Sequence, residues 1–227
     1  MTQTQATTRF LPHDLLRFGD AAQLTGDAAL PDWAMKSLAT APWVVVRRAA
    51  GKNGCIPVGI RGTGRDQRWS AWLDPRHVQE RLKPEALPAR LSRLEADRVA
   101  AVAALSAIDS LGALLDPRGW TWGPTGSVGF ELASFTPTAK QSSDLDAMIR
   151  ADDPLDRSQA ATLLAEIARL NVRCDLLLET PAGAVALSEY VRGNGSVVAR
   201  SIDGPHLVAD PWQASNRSTA SGRLEVE

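Results

Sequence analysis

The sequence predicts an α+β protein in which a small N-terminal mixed β-sheet domain precedes a second domain built on a mixed sheet flanked by helices. Three observations carry that expectation. Short aromatic and β-branched runs separated by Gly-containing turns fill the first third. The middle changes to Ala, Leu, Arg and Glu at helical spacing, and the last third alternates apolar strand-like runs with an amphipathic helix. A length of 227 residues accommodates one large domain or two small ones. The expected division is residues 1–84, residues 85–212 and a Ser/Thr/Asn/Gly-rich tail over 213–227.

In the first domain, Trp43–Arg48, Ile56–Arg61 and Arg68–Leu73 read as strands, joined by turns at Gly51–Gly54 and Gly62–Gly64 and paired antiparallel. Pro12–Phe18 and Asp32–Leu38 read as short helices capping that sheet. Pro84 and Pro88 cannot continue a ladder, so the boundary falls there. From Pro88 to Leu115, apolar residues at Leu91, Leu94, Val99, Val102, Leu105 and Ile108 predict a long amphipathic helix, broken once. Beyond it come a short helix over Ser127–Ser134 and a strand over Leu145–Ile149. A helix over Asp156–Leu170 follows, with Asp156 as N-cap. Strands are expected over Arg173–Thr180, Ala184–Tyr190 and Ser196–Ile202, the first two joined by a hairpin turn at Pro181-Ala-Gly183.

Composition limits what the chain can do. Apolar residues make up 44% and charged residues 22%, as in soluble globular proteins. Lys and Arg number 25 against 26 Asp and Glu, so a net charge of -1 offers no global attraction to nucleic acid or anionic lipid. Any anionic ligand needs a local site. Met1–Arg9 lacks the basic, apolar and small-residue progression of a secretory signal, and no apolar run approaches the ~20 residues of a membrane span. A water-soluble cytoplasmic protein is expected, with no nucleic acid polymer and no membrane as partner. Cys55 and Cys174 have no Cys or His at metal-ligand spacing and read as reduced and buried.

The residues that carry chemistry lie between Gly123 and Glu179. Gly126-Ser127 forms a small-residue turn at a helix start, where backbone N–H groups and the helix dipole favour an anion. Asp144-Leu145-Asp146 follows on a strand, and period-two alternation aims both carboxylates at one point. Two anions held so close repel unless a cation sits between them, and Mg²⁺ accepts one or two protein carboxylates with water and substrate phosphates completing its octahedron. Asp175 heads another apolar strand, a place from which it can bind metal or orient and deprotonate an attacking hydroxyl. A D-x-D tripeptide also occurs as a solvated pair at a strand start. The order of Gly-Ser turn, D-x-D strand and single Asp strand is what points to metal-dependent nucleotidyl transfer.

Trp122-Gly-Pro-Thr-Gly-Ser-Val-Gly-Phe-Glu-Leu-Ala133, followed by Ser143-Asp-Leu-Asp146 and Arg150, resembles the malonate decarboxylase holo-acyl-carrier-protein synthases, also called phosphoribosyl-dephospho-CoA transferases. The resemblance extends over His13-Asp-Leu-Leu16, Val44–Arg48, Ile56–Gly62, Asp175–Pro181 and Gly204–Trp212. It implies a nucleotidyltransferase-like catalytic domain. The implied reaction attaches phosphoribosyl-dephospho-CoA, taken from triphosphoribosyl-dephospho-CoA with release of pyrophosphate, to a serine of the acyl carrier subunit of malonate decarboxylase. Asp144 and Asp146 then correspond to the family's Mg²⁺-binding acids, Gly126 and Ser127 to its phosphate-holding turn, and Asp175 to a third acid. Two departures stand out: Ser134-Phe135 where members usually continue Ala-Thr/Ser-Gly, and Ala147-Met148 where a large aliphatic is usual.

Arginines at 47, 48, 61, 65 and 68 gather in the first domain, beside glycines that let backbone approach an anion, and Arg forks suit phosphates. Arg61 is the strongest candidate; the others also read as solvated strand ends, with Arg48 and Arg65 as a docking patch for an acidic carrier. Arg150 is expected either to meet phosphate or to pair with Asp144. His13 and His206 read as structural. Most of the seven tryptophans are expected in the core, with Trp122 packing there or stacking on a base. The alternatives to prosthetic-group transfer are another Mg²⁺-dependent nucleotidyltransferase and a catalytically silent nucleotide-binding adaptor.

Overall fold

The computed structural model describes residues 9–62, 64, 67–193 and 195–213. Met1–Thr8, Arg65 and the tail beyond Gln213 lie outside the described residues. In chain order the elements are β1 (Leu15–Arg17), β2 (Leu24–Gly26), α1 (Asp32–Thr40), β3 (Trp43–Val46), β4 (Ile56–Arg61), β5 (Arg68–Leu73) and β6 (Glu80–Leu82). After a 3₁₀ segment over Pro88–Arg93 come α2 (Ala96–Ala101), α3 (Ala103–Leu115), β7 (Trp122–Pro124), α4 (Gly126–Ser134), β8 (Leu145–Arg150), α5 (Arg157–Ile167) and β9 (Cys174–Thr180). The chain continues through β10 (Gly183–Ala186), α6 (Leu187–Arg192), β11 (Val197–Ser201) and β12 (Gly204–Val208).

The first sheet has the order β2-β5-β4-β3-β1-β6. Alternation decides where its side chains go. Leu16, Val44, Val46, Ile56, Val58, Ile60, Ala71 and Leu73 share one core with Ala34 and Leu38 of α1. Leu15 and Trp43, with half-buried Val45 and Leu82, point the other way into a larger core formed with α3, α4 and the second sheet. β1 and β3 are thus apolar on both faces, which is why Trp43-Val-Val-Val46 reads as an unbroken apolar run.

The second sheet has the order β12-β11-β10-β9-β8-β7 and is mixed. β8 and β9 run parallel, joined by the crossover helix α5, and the other pairs are antiparallel. Leu145, Ala147, Ile149, Leu176 and Leu178 enter the larger core. Asp146, Met148 and Arg150 therefore share the opposite face with Asp175, Leu177 and Glu179. Asp156 caps α5 by accepting from the N–H groups of Ser158 and Gln159, and Pro181-Ala182 turns β9 into β10.

Several expectations are corrected. Every pair in the first sheet is antiparallel, so that sheet is not mixed. The Pro12–Phe18 segment is not a helix, because Leu15–Arg17 pairs on both edges, with β3 and with β6. The helix expected from Pro88 to Leu115 is broken twice. Its first part is 3₁₀, and Val102 adopts an extended backbone between α2 and α3 while its side chain enters the core. The strand expected over Ala184–Tyr190 stops at Ala186 and continues as α6, which buries Leu187 and Tyr190. Both cysteines are half-buried rather than buried; the tryptophans follow the expectation, Trp43 and Trp122 buried and Trp33, Trp69, Trp120 and Trp212 packed half-buried against the two cores.

The two sheets are tied by an ionic cluster. Glu179 on β9 is 8% exposed; its Oε1 receives the Arg48 guanidinium from the end of β3 and lies 3.3 Å from His13 Nε2. Nearby, Arg81 pairs with fully buried Asp14 at 2.5 Å, and Arg150 Nε donates to Glu85 at 2.6 Å. Burial pushes the Glu179 carboxyl up, but hydrogen bonds from His13 and Arg48 and their charges outweigh it and hold its pKa at about 2, below the ordinary 4.5. A depressed carboxyl contributes stability that is fully present above its unfolded value and lost as pH falls through the folded one. Denaturant unfolding between pH 6 and pH 2.5 is therefore expected to show wild-type stability falling with acid through this window, and Glu179→Gln to start lower and fall less steeply.

Candidate active site

Gly126 opens α4 directly after β7. Its φ of +58° is a left-handed conformation that glycine adopts without strain. A Cβ there would also stand 2.3 Å from Asp146 Oδ2. Two independent reasons thus demand glycine, and together they press the Asp146 carboxylate against the first turn of a nine-residue helix. The antiparallel ladder fixes this approach: the Thr125 N–H donates to the Asp146 carbonyl at 2.8 Å, next to the Pro124–Ala147 pair. Ser127 Oγ donates to Ser143 Oγ at 3.4 Å, and Ser143 Oγ also accepts from the Lys140 N–H at 2.9 Å. The turn and the segment leading to Asp144 are therefore held together.

The register of β8 on β9 sets Asp146 opposite Asp175, about 4.8 Å apart at Cα as adjacent strands require. Asp144, one residue before β8, is exposed, and Asp146 is half-buried. Burial raises the Asp146 pKa most, and the charges of Asp175 and Asp144 raise it further against Arg61 and His13. Among the described residues, no side chain donates a hydrogen bond to the Asp146 carboxylate. The Asp146 carboxylate thus lies at a helix N-terminus, close to Asp144 in sequence and opposite Asp175 in register.

The donor set fits Mg²⁺ with Asp144 and Asp146 as protein ligands and phosphate oxygens and water for the rest. Among the described residues no three His, Cys, Asp or Glu side chains close into a cage of their own, and Asp175 turns to Arg173 at 3.1 Å. Arg61 ends β4, exposed, with its charge acting on Asp146. Arg150 is placed elsewhere. It lies at the other end of β8, roughly 20 Å along the strand from Asp144, and its partner is Glu85 rather than Asp144. Arg48 likewise spends its charge on Glu179 and is not an open docking residue. Trp122 packs in the core, donating from Nε1 to Asp116 at 2.7 Å, which leaves no face for a base.

Cys174 adjoins the acids, yet burial first, and then Asp175 and Asp146, push its thiol up to about 12, so it stays protonated and is no nucleophile. A cleft of about 600 Å³ between α5, β9 and α6 touches Asp175 and Arg173 but neither Asp144 nor Asp146. The acids face the first sheet instead.

Sequence reasoning missed Glu131. It is 1% exposed within α4, held by Arg98 at 2.7 and 2.9 Å and accepting from the N–H groups of Thr138 and Ala139 at 2.9 and 2.8 Å. Burial pushes its pKa up, but these bonds and the Arg98 charge bring it below the ordinary value. Arg98 also donates to the Ala139 carbonyl at 2.6 Å, so the pair fixes the loop that leads into Ser143 and Asp144. The signal was an acid on the apolar side of Val128, Leu132 and Ala133. The departure at Phe135 acquires a reason as well. Phe135 ends α4 at φ +56°, where glycine is the common choice, with the guanidinium carbons of Arg90 and Arg93 each 4.4 Å from its ring.

Two family models match the chain: the phosphoribosyl-dephospho-CoA transferase MdcG N-terminal domain over residues 11–84 and the corresponding C-terminal domain over residues 90–211. Among curated proteins, the phosphoribosyl-dephospho-CoA transferase of Azotobacter vinelandii is 42% identical over 91% of this chain and 97% of its own length. Those of Pseudomonas fluorescens strain Pf0-1 and Klebsiella pneumoniae are 41% and 38% identical, over 92% and 88% of this chain and 97% and 95% of their own lengths. No solved structure matches. No helix among the described residues is long and apolar enough to cross a membrane.

Breaking a buried ion pair by removing one partner costs about 3 kcal/mol or more, since the remaining charge is left uncompensated. Arg98→Ala is expected to lower the unfolding free energy by about that amount, measured by urea titration. A loss below ~1 kcal/mol would mean that Glu131 is held by the Thr138 and Ala139 backbone alone.

Proposed function

The chain belongs to the phosphoribosyl-dephospho-CoA transferase family, and from that premise we propose that it transfers phosphoribosyl-dephospho-CoA from triphosphoribosyl-dephospho-CoA to a serine of the acyl carrier subunit of malonate decarboxylase. The second domain is read as nucleotidyltransferase-like. The observation that carries the proposal is the contact of Asp146 with Gly126, which places a donor-poor carboxylate beside Asp144, opposite Asp175 and at the start of α4.

In this reading the carrier's serine hydroxyl attacks the α-phosphorus of the triphosphoribosyl group. An oxygen–phosphorus bond forms, the bond to the bridging oxygen of the leaving pyrophosphate breaks, and the hydroxyl proton passes to Asp175. Asp175 is exposed and reachable by a partner's side chain. The backbone N–H groups at the start of α4 and the Ser127 hydroxyl hold the leaving phosphates, where the helix dipole favours negative charge. Arg61 supplies positive charge from the first sheet. Asp144 and Asp146 would hold Mg²⁺, which when bound neutralises charge on the phosphates. Such transfer depends on positioning and charge neutralisation rather than on a protein nucleophile.

Incubating the apo carrier with triphosphoribosyl-dephospho-CoA, Mg²⁺ and the protein is expected to add the mass of one phosphoribosyl-dephospho-CoA group. Asp144→Ala and Asp146→Ala are expected to bring this to background while unfolding as wild type does. Absence of mass gain with wild type, or an undiminished gain with both variants, would sink the reading. Gly126→Ala displaces the Asp146 carboxylate and is expected to slow transfer about a hundredfold, as an ångström-scale misplacement does, with donor binding changed far less.

A further inference from the structure

We infer that the open face of the β4–β5 hairpin is the seat of the donor's dephospho-CoA arm, with Arg61, Arg68 and Arg47 gripping its pyrophosphate; this rests on the transfer reading above. Arg61 and Arg68 are register partners at the end of the hairpin, both exposed. Among the described residues neither meets a carboxylate. Like charges directly opposite on one face destabilise an antiparallel pair, and a bound anion reverses the sign of that interaction. Elsewhere the contrast is plain: Arg48, Arg81, Arg98 and Arg150 each meet a buried or half-buried acid.

Alternation carries the same face along β4 and β5 through Gly59, Pro57, Ser70 and Trp72. Arg47, just past β3, lies flat across it. A Cβ on Gly59 would stand 3.1 Å from Arg47 Cδ, so the glycine makes room for the arginine. Arg47 Nε donates to the Val58 carbonyl at 2.9 Å; burial lowers its pKa, the charge of Asp27 opposes that, and among the described residues its guanidinium closes no ion pair, Asp27 pairing with Lys52 at 3.3 Å instead. A half-buried cation with no carboxylate in direct contact gains from a bound anion, and it lies beside the Trp72 ring, whose centre is 5.9 Å from the Arg47 guanidinium carbon and 4.8 Å from Lys52 Nζ. The strip begins where the charge of Arg61 reaches Asp146. A donor whose reacting phosphates sit at the start of α4 can lay its second pyrophosphate along this strip, where Arg forks accept it bidentately.

The test uses dephospho-CoA, which carries that pyrophosphate but lacks the reacting triphosphate, so its binding needs neither transfer nor acceptor. Calorimetric titration at low salt is expected to show binding by wild type, weakened about tenfold or more by Arg68→Ala, the loss of one charge-assisted contact. Arg68→Lys is expected to recover part of it. Arg68→Ala is also expected to raise the donor KM in the mass-gain assay more than it lowers kcat. The inference is overturned if wild type fails to bind dephospho-CoA, if Arg68→Ala binds it equally, or if Arg68→Ala loses carrier binding and keeps dephospho-CoA binding, which would make the face a carrier dock. Transfer with undiminished donor KM in the variant overturns this inference and leaves the transferase reading standing; no transfer with intact dephospho-CoA binding does the reverse.

Discussion

The parallel ladder between β8 and β9 sets Asp146 opposite Asp175 and Arg150 opposite Glu179, so one sheet face carries acids at one end and an ionic tie at the other. Because side chains alternate, a slip of one residue would send Asp146 and Asp175 into the core and bring Leu145 and Leu176 out. The apolar cost of that exchange pins the register. Leu145, Ala147, Ile149, Leu176 and Leu178 are all almost fully buried, and burying five such side chains is worth several kcal/mol in total. The acid site is therefore positioned by residues that never touch it.

The same register explains why the protein has two sheets rather than one. A face bearing Asp146, Met148, Arg150, Leu177 and Glu179 is too apolar at its middle to be left in water and too charged to enter a plain core. The first sheet's domain meets its charged end: Arg48 and His13 come to Glu179. Met148 ends fully buried on this side. Beyond the tie the two surfaces stay open, with acids on one and arginines on the other.

What the sequence showed and what it hid follow from distance along the chain. Strand β4, strand β5 and helix α4 were legible because their patterns are local: period two in Ile56–Arg61 and Arg68–Leu73, and a Gly-Ser start followed by apolar spacing. That Gly126 opens a helix and Asp146 sits in a strand was legible for the same reason. Strand β1 was not, since three residues carry no period and their extended shape comes from pairing with β3 and β6. Helix α6 was read as strand because Ala184–Tyr190 is apolar enough for either, and only the burial of Leu187 and Tyr190 together decides. Glu179 looked like the end of a strand; its partner Arg48 lies 131 residues away, and nothing local announces it. Arg150 was misplaced by the converse error, since six residues that look adjacent on the page span most of a strand's length.

Phe135 shows how such a frame tolerates a locally unfavourable choice. A non-glycine residue at φ +56° costs of order 1 kcal/mol, and the ring recovers part of that by lying against Arg90 and Arg93. Arg90 in turn donates to the Leu132 and Ala133 carbonyls at 2.7 and 3.0 Å, groups that a helix end leaves without partners. A glycine in its place would relieve the backbone but remove the plate on which Arg90 rests, and with it some of the order at the C-terminus of α4. That end leads through the loop anchored by Glu131 to Ser143 and Asp144. The substitution is therefore compensated within the same turn, and the path from α4 to the acids keeps its geometry by a different set of contacts.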